Sequence, residues 1–233
     1  MSRTHPLLAI AALLLAPTQA AAHGGGFLGS GDAAQVHQEV VKVFGDDAAF
    51  SANATLTSKR ADGTRTERFR YLLRRGVLRL ERTQADNPFL TPAQIDRHRA
   101  QGTDVYVTLA TPDALYTIFP RLEAYFRNPR AAKPSTLTIT STEAGEETID
   151  GHPCRKRVLR IMVEQLPPIR MTVWEAQDEQ GIPIRVQDEH GEDVTILDLA
   201  DFEPDPPASL FELPKGYTGY DDVQKMLAER KPK

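Results

Sequence analysis

Few side chains in this sequence have chemistry to offer, and each has a plainer reading beside it. Cleavage of a leader after Ala22 would make His23 the first residue, and a terminal amine beside an imidazole can chelate copper. The other histidines of the processed chain, His37, His98, His152 and His190, show no ligand spacing, so His23 reads as an accident of the cleavage position. Cys154, in "GHPC", is either a reactive or bridging thiol or a small apolar residue at the start of a strand; the second reading needs nothing further. Asp188, Glu189, Glu192 and Asp193 could hold calcium, yet they straddle a His-Gly turn and look like a solvated hairpin tip. Serine, histidine and aspartate are all present, but no Gly-x-Ser-x-Gly elbow is. Without an acid–base or metal constellation the chain is expected to be non-enzymatic and to need no cofactor.

The ends and the composition narrow the class. Residues 1–22, "MSRTHPLLAIAALLLAPTQAAA", carry an early arginine, an apolar run and an A-x-A close, the pattern of a secretory signal and too short to span a bilayer. No cysteine stands at the cleavage point, so the expectation is a soluble periplasmic protein and not a lipid-anchored one. Removing the leader takes away one arginine and leaves 27 basic against 32 acidic residues. So mild a negative balance does not favour nucleic acid or an anionic membrane surface as the main partner, and no nucleic-acid partner is expected. With one cysteine, no internal disulfide can staple the fold.

The elements that must position any site follow from periodicity. A Gly-rich lead-in covers residues 23–31. From Asp32 the spacing of Ala33, Val36, Val40, Val41 and Phe44 predicts an amphipathic helix ending at Gly45. The period then changes to two. Phe50, Ala52, Ala54 and Leu56 alternate with polar residues, and "ADG" at 61–63 turns the chain. In "TERFRYLLRRGVLRLER", Phe69, Tyr71 and Leu73 share a face that Leu78 and Leu80 continue. Arg68, Arg70 and Arg74 take the other face, read as solvated beside Glu67 and Glu81. "TPAQIDRHRAQG" (91–102) reads as a short helix or lid-like insertion opened by proline. Strands resume through Val105, Val107 and Leu109, and the tail "GYDDVQKMLAER" reads as a last surface helix. About ten strands with three helices is more strand than usual, and a long antiparallel sheet tends to curl.

The order of these pieces resembles the LolA/LolB superfamily of periplasmic lipoprotein carriers, including the N-terminal domain of RseB-type sensors. "LLRRGVLRLE" resembles the family's basic-Gly turn. "PDALYTIFPRLEAYF" has Tyr116, Pro120 and Tyr125 in the family's places. "IDGHPCRKRVLRI" is similar to the sensor-like branch, and Phe211, Pro214 and Gly216 match a closing Phe-x-x-Pro-x-Gly. The resemblance implies a mainly β (α+β) fold: a strongly curved antiparallel sheet forming a half-open barrel over residues 32–217, with a polar helical tail at 218–233. It implies an apolar cavity that shelters the acyl chains of a lipid or lipoprotein, each buried CH₂ contributing roughly 0.8 kcal/mol. The expected cavity wall is Phe69, Tyr71, Leu73, Leu78, Leu80, Val105, Val107 and Leu109, with Trp174 at the rim. Arg75 is the expected lid contact, Arg74 its alternative. The proline-bracketed "DPPASLFELPKGY" would close one rim. Where the carriers have a helical lid after the aromatic-ended strand, this chain has its extra residues earlier, at 84–102. The other expectation is an envelope-stress sensor or interaction module that binds an envelope or inner-membrane protein on the same concave sheet.

Overall fold

The structure is a computed structural model that describes residues 44, 47–61, 63–129, 137–163, 169–179, 181–190 and 193–232. The signal segment, the Gly-rich lead-in and the amphipathic helix expected at 33–44 lie outside the described residues, apart from Phe44. Among the described residues, twelve strands form one sheet: β1 (Ala49–Arg60), β2 (Gly63–Arg74), β3 (Val77–Thr83), β4 (Val105–Ala110), β5 (Ala114–Phe119), β6 (Ala124–Pro129), β7 (Leu137–Ile149), β8 (His152–Val163), β9 (Ile169–Ala176), β10 (Ile182–His190), β11 (Asp193–Pro204) and β12 (Thr218–Tyr220). Their order across the sheet is β12-β6-β5-β4-β3-β2-β1-β11-β10-β9-β8-β7, antiparallel except for the β12–β6 pair. The two ends do not pair with each other, so the sheet is open.

Chain connectivity requires this sheet to curl. β6 and β7 are ten strand positions apart, which in a flat sheet is roughly 48 Å. Yet Pro129 and Leu137 are joined by eight Cα steps, which reach at most about 29 Å. Only a strongly curved sheet brings those ends within reach. Tight turns keep the hairpins in register: Arg75 (φ 46°) and Gly76 (φ 76°) both take the left-handed conformation that a two-residue β2–β3 connection needs.

Curvature makes the two faces unequal. Residues paired across strands share a face. Phe50 stands opposite Leu73, which stands opposite Leu78; Ala52, Tyr71 and Leu80 form the next row. Leu56 faces Leu197, which faces Val186, which faces Val173. Side chains of this set from β1, β2, β3, β8, β9, β10 and β11, with Ala110 of β4, join in a single buried cluster. Apolar side chains of the other face form separate clusters, one over β4–β6 and one over β8–β10. Convergence on one side and separation on the other identify the first as the concave, inner face.

Two helices accompany the sheet among the described residues. α1 (Pro92–Gln101) starts with a capping box: Gln94 Oε1 accepts from the Thr91 amide at 2.8 Å, and Thr91 Oγ1 accepts from the Gln94 amide at 3.4 Å. It buries none of its residues, which agrees with a surface insertion. α2 (Val223–Glu229) is capped by Asp222 and lies mostly at the surface, as expected of the tail. Its Met226 is wholly buried among Tyr106, Phe119, Leu122, Ala124 and Tyr220, on the inner face at the β12 end.

The proline-bracketed stretch does more than close a rim. From the end of β11 it crosses the outer face of the sheet as a strap. Arg74 bonds the Asp205 carboxylate and the Pro206 carbonyl, and Arg79 Nη1 donates to the Leu210 carbonyl at 2.9 Å. Leu213 and Tyr217 then pack on Val77, Val107, Leu109, Tyr116 and Ile118. The strap delivers β12 to the free edge of β6. The prolines suit this path, since a strap over a sheet face has no ladder hydrogen bonds to give.

Candidate ligand-binding face

The inner face carries one buried apolar cluster that reaches from β4 round to β8. Phe69, Tyr71, Leu73, Leu78 and Leu80, all expected wall residues, lie on it together, each no more than 7% exposed. Phe50, Leu56, Leu159, Ile161, Met171, Val173, Leu197 and Leu199 extend it. Phe44 sits on this surface, its ring 5.6 Å from Phe50 and 5.7 Å from Tyr71. Phe44 is thereby packed on the inner face.

Three residues expected on the same wall are on the opposite face. Leu80 pairs with Thr108 and Leu78 with Ala110, so β4 points Tyr106, Thr108 and Ala110 inward. Val107 and Leu109 are buried on the outer side beneath the strap, and Val105 is 41% exposed. The physical reason is parity: the twenty-one residues between Thr83 and Val105 restart the alternation, and only cross-strand pairing fixes which half faces in. Trp174 follows inner Val173 by one residue and so belongs to the outer side. It is 5% exposed among Ile149, Cys154, Ala176 and Ile184, with Lys156 Nζ 4.9 Å over its ring and its Nε1 donating to Glu147 at 2.9 Å. Arg75 is exposed at the β2–β3 hairpin tip. Arg74, its alternative, is occupied by the strap.

Reading by type alone missed a polar cluster on the inner face. Glu67 precedes Phe69 by two residues and Arg82 follows Leu80 by two, so alternation places both on the inner face. This corrects the placing of Glu67 on the solvated side. Their side chains are 2% and 5% exposed, with Arg82 Nε 3.7 Å from Glu67 Oε1, an ion pair too long for a hydrogen bond. Tyr106 pairs with Arg82 in the β3–β4 register, and the Arg82 guanidinium carbon lies 4.6 Å over the Phe69 ring. Among the described residues neither oxygen of Glu67 accepts a hydrogen bond, and Gln84 Nε2, on the wholly buried residue after β3, has no acceptor. Burial pushes the Glu67 carboxyl above its ordinary value; Arg82 opposes the shift and Asp86 adds to it. Burial likewise raises the Tyr106 and Tyr71 phenols, and the Tyr71 hydroxyl is unpaired within the apolar wall.

A second buried carboxylate shows what a purely structural one looks like. Glu175 is 4% exposed, and both its oxygens are used: Arg155 donates through Nε at 3.0 Å and Nη2 at 2.7 Å, and Arg157 Nη1 donates at 2.6 Å. Cys154 is buried, its thiol donating to the His152 carbonyl at 3.3 Å, and burial raises its pKa. Among the described residues no three His, Cys, Asp or Glu side chains stand close enough to hold a metal.

No family model matches the chain, and no curated protein matches it. It is similar to several solved structures. An uncharacterized conserved protein from Thermus thermophilus is 15% identical, with a TM-score of 0.45 over 78% of this chain and 94% of that one. The lipoprotein LppX of Mycobacterium tuberculosis is 13% identical, with a TM-score of 0.38 over 78% of this chain and 97% of that one. A LolA superfamily protein from Nitrosomonas europaea is 13% identical, with a TM-score of 0.33 over 75% of this chain and 94% of that one.

Proposed function

We propose that this protein is a non-catalytic periplasmic carrier that holds the acyl chains of a lipid or lipoprotein against the inner face of its curved sheet. The carrying observation is that face itself: one buried apolar cluster that reaches from β4 to β8, in a sheet whose ends stay unpaired. Hydrocarbon leaves water for such a surface at roughly 0.8 kcal/mol per CH₂, so one twelve-carbon tail supplies ample affinity even after the cost of ordering it. The wall residues of this reading are Phe69, Tyr71, Leu73, Leu78 and Leu80, with Arg75 exposed at the hairpin tip to meet a lid. Its test is extraction of the protein, purified from the periplasm, into organic solvent. Lipid recovered in stoichiometric amount by mass spectrometry supports the carrier; an extract free of acyl chains refutes it.

One observation favours the protein-binding alternative. β7 is a thirteen-residue edge strand whose residues 138–148 are exposed except Ile139, a template on which an extended segment of an envelope protein could add a strand. Capture of a single envelope protein by the tagged chain, lost on placing proline at Thr142, would move the reading to an interaction module.

A further inference from the structure

The geometry points to a second, polar half of the ligand site: Glu67, Arg82 and Gln84 as the anchor for an uncharged head group carrying a hydroxyl or amide hydrogen. This deepens the carrier reading and rests on it. A protein that needed these groups only for packing would satisfy them internally, as Glu175 is satisfied by two arginines. Here a carboxylate with two idle acceptors is buried at 2% exposure on the face proposed to take acyl chains, and Gln84, the residue that follows β3, is wholly buried with an idle amide donor. Leaving such groups unpaired costs more than a hydrogen bond to them returns in water, so a head group that pairs both is bound more strongly than the tail alone.

The charges around the cluster choose the head. An anion would lie against Glu67 and Asp86, and a cation against Arg82, each desolvated in the same small space. A neutral group that both donates and accepts meets neither penalty. A hydroxyl or primary amide gives its hydrogen to Glu67 and takes one from Gln84, while the chain behind it runs over Phe69 and Leu80. An ether or ester end accepts only and leaves Glu67 idle.

Three ligands with one chain length isolate this. The full exported protein is loaded with the apolar dye N-phenyl-1-naphthylamine, and the dye is displaced with 1-dodecanol, dodecanamide or dodecyl methyl ether. The expected result is that the alcohol, the amide or both displace the dye at a midpoint about tenfold below that of the ether, the worth of one hydrogen bond to a charged acceptor. Whichever of the two is stronger names the head group. Displacement by all three at one midpoint overturns this inference and leaves the carrier standing. Failure of all three to displace the dye overturns both. Replacing the pair together, Glu67→Met with Arg82→Met, removes the charges without leaving one unpaired. It should abolish the preference and leave the ether's midpoint unchanged; a preference that survives places the anchor elsewhere. Should that variant not fold, Glu67→Gln keeps the shape and should cut the preference about threefold.

Discussion

At the scale of single residues, the buried Glu67 carboxyl ties stability to pH. Glu67 has its pKa raised by burial, so the fold binds its proton more tightly than the unfolded chain does. Its contribution is therefore full below the unfolded carboxyl range and is lost as pH rises through the folded value. Glu67→Gln resembles the protonated state. It should unfold at a higher temperature than the wild type at pH 7, and the gap should close as the buffer is taken down to about pH 4. Thermal melts across that range check the sign, and a gap that widens in acid would show the carboxylate to be a stabilising anion. Arg82→Leu has the reverse effect, because it strands Glu67 without its counter-ion; a loss of about 3–5 kcal/mol at pH 7, shrinking in acid, is expected from urea unfolding. Both residues are legible in principle, since counting by twos from Phe69 and Leu80 puts them inside. A charged side chain such as Glu67 argues by its type for the solvated face, and only burial in the fold reverses that.

At the scale of elements, the C-terminal strap and β12 finish the sheet. Gly219 sits where β12 runs parallel to β6, and a Cβ there would fall 2.6 Å from Tyr125 Oη and 2.7 Å from Cζ. Gly219→Ala must displace that ring, which packs on the outer cluster under the strap. A loss of about 1–3 kcal/mol is expected, with hydrogen exchange rising first in residues 218–230. The strap's hold on the sheet is polar as well. Arg79→Met keeps the aliphatic stem but removes the bonds to Leu210 and Glu81; cleavage by a protease between residues 205 and 217 should quicken several-fold with little change in overall unfolding. The capped helix at 92–101 and the Arg75-Gly76 turn follow from local chemistry, since caps and left-handed turns depend on a few adjacent residues. The strap's path does not, because a segment bracketed by prolines states only that it stays out of the sheet interior.

At the scale of the whole molecule, the carrier reading sets the two faces of one sheet apart. Leu80 and Leu109 are both nearly fully buried leucines, one on the inner face and one under the strap. Truncating either to alanine should cost about 2–5 kcal/mol, with similar urea midpoints. Only Leu80→Ala should weaken displacement of the dye by dodecanol; an equal effect from Leu109→Ala would contradict the assignment of faces.

The sequence alone determined the strand-rich class, the alternation within each strand and the turn and cap chemistry, because these depend on neighbours a few residues away. Connectivity added the curl, since eight steps cannot bridge a flat sheet. Which face of β4 looks inward, where the strap runs and that Glu67 meets Arg82 were decided by tertiary structure. Those relations are set by pairing between strands far apart in the chain, and a shift of one residue in that pairing exchanges inside for outside.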